Sequence, residues 1–75
     1  MAGDEHNQNL HREIYELLLA KVREDQYPSV TQMNMLEEML QEKDDVASYA
    51  DVLMDKVRQD TYPSIDQLRR LQRFA

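Results

Sequence analysis

Few residues in this chain have side chains that do chemistry, and they are scattered. His6 and His11 are the two histidines, with Asp4 and Glu5 beside the first. Histidine with carboxylate is a metal-ligating combination. Two ligands share a helix face when they lie three or four residues apart, whereas these histidines are five apart. They read as solvated side chains, and no metal or other cofactor is expected. With no cysteine in the chain, a covalent nucleophile would have to be a serine or threonine with a base nearby. Ser29 and Ser64 read as helix caps, and neither has a sequence feature that suggests a base. Gly3 is the one glycine, which excludes a glycine-rich phosphate loop. Glu37-Glu38 and Asp44-Asp45 are paired carboxylates, but acidic runs of this kind form solvated faces. A small helical chain also offers little room for a substrate pocket. The expectation is no catalysis and no small-molecule substrate.

Two groups of residues suit binding better. Met33, Met35, Met39 and Met54 are flexible and polarizable, as adaptable contact surfaces require. Gln67, Arg69, Arg70 and Arg73 fall in one short segment, and Gln and Arg are good readers of base edges.

The elements that must position these side chains follow from composition. One glycine and two prolines in 75 residues, with Leu, Met, Glu, Gln, Lys, Arg and Ala abundant, favour an all-helical chain. A chain of this length is one domain at most and buries only about 60% of its unfolded surface. It has no disulfide to compensate, so a partner subunit is the natural support. No apolar run approaches the roughly 20 residues of a membrane span. The polar, acidic N-terminus is unlike a signal peptide, so a soluble cytoplasmic protein with no membrane partner is expected.

The most informative pattern is an internal repeat. Shifted by 35 residues, 16–39 lies over 51–74 with ten identities, among them Lys21/Lys56, Val22/Val57, Tyr27/Tyr62, Pro28/Pro63 and Ser29/Ser64. One supersecondary unit is used twice. The period is near that of tetratricopeptide units, but the chain has no tryptophan and its prolines fall inside each unit, so no membership follows.

Each Tyr-Pro-Ser passage is a helix stop followed by a start. Proline disfavours helical geometry in the tyrosine before it. Ser-x-x-Gln at 29–32 and 64–67 then has the capping-box pattern. The spacing predicts four short helices, near 9–25, 30–42, 46–60 and 65–74, arranged as two duplicated helical hairpins in a small bundle. Residues 1–8 are expected to fray, with repeat one at about 9–42 and repeat two at about 46–75. Asp44, Asp45 or Ser48 would cap the third helix.

Apolar stripes predict the core: Leu10, Ile14, Leu17, Leu18 and Val22; Val30, Met33, Leu36 and Leu40; Val46, Tyr49, Val52, Leu53 and Val57; Ile65, Leu68 and Leu71. Tyr15, Leu19, Ala50, Met54, Met35 and Met39 widen the apolar arcs to roughly 200°, beyond the roughly 100° a surface helix needs. A homodimer would cover the surplus. Lys21 and Lys56 sit inside these arcs and should extend their ammonium groups to water. Tyr27 and Tyr62 should pack over the hairpin ends.

Charge is uneven. Residues 1–60 hold six basic against fourteen acidic residues, while 61–75 hold three against one. The acidic body argues against a general nucleic-acid binder.

These features predict a small acidic adaptor or regulator that binds another protein, itself, or both. Its expected contact surface is Met35 and Met39 with the charged rim Glu38, Glu42, Arg70 and Arg73. Met35 stands out, because its repeat counterpart is Arg70, read here as solvent-facing. Two alternatives remain: a dimeric helix-turn-helix regulator that reads DNA through Gln67, Arg69, Arg70 and Arg73, and an acidic protein that imitates DNA.

Overall fold

The computed structural model describes the backbone of residues 2–75 and the side chains of residues 9–75. It is all-helical, with α1 at Ala2–Glu24, α2 at Val30–Glu38, α3 at Lys43–Gln59 and α4 at Ile65–Phe74. Among the described residues there is no strand. No helix is long and apolar enough to cross a membrane. The chain divides into two units, 1–39 and 40–75, with α1 against α2 in the first and α3 against α4 in the second.

The Tyr-Pro-Ser passages separate the helices as the sequence predicts. Ser29 and Ser64 are both N-caps in extended conformation, and their hydroxyls accept the N–H of Gln32 at 3.0 Å and of Gln67 at 3.3 Å. The return half of the first capping box is not made, since the buried Gln32 Oε1 has no hydrogen-bond partner. The tyrosine rings do not fold over the helix ends as expected: Tyr27 and Tyr62 are exposed, Tyr62 at 87%. The proline carries the packing instead, with Pro28 buried and Pro63 half-buried.

Three boundaries differ from the predicted ones. The α1 backbone runs back to Ala2, and the side chains of the segment expected to fray lie outside the described residues. Helix α2 stops at Glu38, and α3 begins at Lys43 with Glu42 as its N-cap rather than Asp44, Asp45 or Ser48. One side chain accounts for both. Asp45 Oδ2 reaches back to accept the N–H groups of Gln41 at 3.2 Å and Glu42 at 3.3 Å. Those amides are then bound to the start of α3 and cannot extend α2. Asp44 and Asp45 also place negative charge on the positive end of the α3 dipole.

In the first unit the buried side chains are Tyr15, Leu19, Val22, Pro28, Met33 and Leu36. This corrects the predicted core stripe of α1, because Leu10, Ile14 and Leu17 are exposed. The apolar arc of α1 is too wide for periodicity to select its inner half. The inner half proves to be the one bearing the tyrosine ring, which offers the largest apolar area of the arc. Arg12 lies 5.1 Å above that ring. His11 Nε2 donates to Met39 O at 3.2 Å, holding the C-terminal end of α2 against α1. A carbonyl can only accept, so Nε2 is the donor in this bond.

In the second unit Tyr49, Val52 and Leu53 are buried, as the α3 stripe predicts. The Tyr49 and Phe74 rings meet edge to face at 5.8 Å and 88°, which pins the end of α4. Polar groups are buried here too: Asp45, Lys56, Gln67 and Arg70. Lys21 is exposed while its counterpart Lys56 is buried, so the two lysines do not share one arrangement.

Candidate protein-interaction surfaces

The second unit carries an open groove of about 470 Å³ between α3 and α4. Ala50, Met54 and Val57 form the α3 wall, since their spacing of four and three residues keeps them on one helix edge. Leu68, Leu71 and Phe74 form the α4 wall, and Gln72 and Ala75 finish the lining. The small side chain of Ala50 leaves room between the walls. None of these side chains titrates or acts as a nucleophile, so the groove is equipped to hold apolar groups and to do no acid–base work.

The first unit presents the outer stripe of α1. Leu10, Ile14 and Leu17 are exposed, Leu17 at 59%, and recur at helical spacing on one edge. Single exposed apolar residues are ordinary, but aligned sets mark contact surfaces. Val30, Met35 and Ile65 are further exposed apolar side chains, Ile65 at 63%.

The residues singled out from sequence divide between the two units. Met35 and Glu38 are exposed on α2, and Met39 is half-buried with its carbonyl engaged by His11. Glu42 is exposed at the α3 cap and Arg73 is exposed on α4. Arg70 contradicts its expected place, being only 2% exposed. Its Nε donates to Asp66 Oδ2 at 2.7 Å one turn earlier. The contrast of an apolar Met35 with a solvent-facing arginine therefore reverses: the methionine is the exposed member of the pair.

The base-reading row is also altered. Gln67 and Arg70 are buried, and only Arg69 and Arg73 of that set remain exposed. Leu68 and Leu71 face the α3–α4 groove, and Gln67 and Arg70, three residues apart on the adjoining edge of α4, turn inward with them while Arg69 does not. Among the described residues no three His, Asp or Glu side chains gather where they could hold a metal ion. His6 has its side chain outside the described residues.

The groove residues Gln72, Phe74 and Ala75 carry no signal from type or stripe alone. The repeat does contain one, because alignment by 35 residues places Ala50 on Tyr15 and so exposes a missing ring. No protein-family model, curated protein or solved structure matches this chain.

Proposed function

We infer that the chain is a small protein-interaction module, one helical hairpin used twice, which binds a second copy of itself or another protein and catalyses nothing. A cytoplasmic adaptor or regulator is the role that fits this reading. The observation that carries it is the apolar side chains left in water in both units, the aligned Leu10, Ile14 and Leu17 above all. Exposing such a stripe is a liability in a lone subunit, and covering it would stabilise the assembly at about 25 cal/mol per Å² of area removed from water.

Sedimentation equilibrium over a concentration series tests self-association. A mass that rises from one chain toward two is expected, and a single-chain mass at high micromolar concentration counts against the dimer.

The DNA-reading alternative keeps Arg69 and Arg73 but loses two readers to burial. Titration with duplex DNA at two salt concentrations separates the readings. Tight binding with a steep salt slope favours DNA, and no binding at low salt removes it.

A further inference from the structure

We propose that two copies associate reciprocally, the outer stripe of α1 in each copy seating in the α3–α4 groove of the other. This rests on the reading of the chain as a self-associating module of two repeats, and it specifies where the contact lies.

The stripe and the groove are related by repeat equivalence. Shifted by 35 residues, Leu10, Ile14 and Leu17 fall on Asp45, Tyr49 and Val52, all buried in the second unit. The groove residues Ala50, Met54 and Val57 fall on Tyr15, Leu19 and Val22, all buried in the first. Each unit thus leaves open on its first helix the edge that its sister buries. Both open edges belong to types that this repeat packs elsewhere. A second copy offers each of them a counterpart.

Length and charge agree with that match. Leu10 to Leu17 and Ala50 to Val57 each span seven residues, about 10.5 Å at the helical rise of 1.5 Å per residue. The groove is floored by apolar side chains and widened where Ala50 replaces a tyrosine. Across 2–17 the sequence holds Asp4, Glu5, Glu13 and Glu16 against Arg12, whereas α4 holds Arg69, Arg70 and Arg73 against Asp66. Arg69 and Arg73 are the exposed members on α4, and Glu13 and Glu16 are exposed beside the stripe. Acidic flanks meeting a basic wall set orientation and register, while the apolar contact supplies the affinity. Two such contacts made reciprocally close a dimer.

The test uses Leu17→Glu on the stripe and Met54→Glu in the groove, followed by light scattering and sedimentation. Each variant alone should weaken association by about tenfold or more, as losses at the centre of an interface do. Mixing the two should restore a one-to-one pair, because one of its two contacts is then wild type on both sides. Leu17 is exposed, so its variant should fold; helicity and melting of Met54→Glu are checked in parallel. If Met54→Glu unfolds, a photo-crosslinker at position 14 replaces it, mixed with isotopically heavy wild type. Capture of heavy α3–α4 peptides supports the contact, and capture of other peptides overturns it. Association that persists in Leu17→Glu overturns the stripe-in-groove contact but leaves self-association standing. A wild type that never associates overturns both.

Discussion

Arg69 and Arg70 are neighbours in sequence with opposite surroundings. Arg69 is exposed, while Arg70 is buried with its guanidinium on Asp66 at 2.7 Å. Removing Arg70 loses a packed stem and a charge-assisted bond, tempered because the Asp66 side chain is 42% exposed. Arg70→Ala should cost about 2 kcal/mol and Arg69→Ala less than about 0.5 kcal/mol, read from urea midpoints at unchanged slope. Equal costs would mean that burial of Arg70 contributes nothing. The capping serines give a second residue-scale prediction. Ser29→Ala and Ser64→Ala should each cost about 1 kcal/mol, and the glycine variants only a few tenths. These caps were legible in the sequence, because Pro-Ser-x-x-Gln specifies local backbone geometry by itself. The fate of Arg70 was not, since nothing local distinguishes it from Arg69.

At the scale of elements, Asp45 decides where one helix ends and the next begins. Its carboxylate takes the amides of Gln41 and Glu42 and is itself buried. Asp45→Ala should destabilise by about 1 kcal/mol, the cost of losing a hydrogen-bonded helix start whose exposed amides water can still reach. It should also speed hydrogen exchange in the first turn of α3 before any change in α4. Uniform acceleration across both helices would deny Asp45 a local role. The sequence located four helices because apolar spacing and turn residues are local signals. It misplaced the joint between α2 and α3 because the residue that caps α3 is Glu42, a type the capping preference passes over in favour of Asp44, Asp45 and Ser48. For α1 it supplied a wide apolar arc without an inner side. Periodicity accordingly puts Leu10, Ile14 and Leu17 in the core and Tyr15 and Leu19 in the surplus, the reverse of their burial.

For the whole molecule, association and stability are linked. A ligand that binds only the folded state raises the melting temperature by mass action, and in the proposed dimer that ligand is a second copy of the chain. The melting temperature of the wild type should rise with protein concentration, and that of Leu17→Glu should not. Added salt should weaken association only modestly, because exposed charge pairs are screened while apolar contact is not. A loss of association as steep as that of a phosphate binder would point instead to an electrostatic surface.

Sequence by itself determined the helical class, the breaks at Tyr-Pro-Ser and their serine caps, because each depends on residues within one or two turns of one another. Only the tertiary structure decided which half of the α1 arc faces inward, that Arg70 and Gln67 are buried, and that Ala50 leaves a groove. Those outcomes depend on how much volume a neighbouring helix presents at each position, which the period of a single helix does not encode.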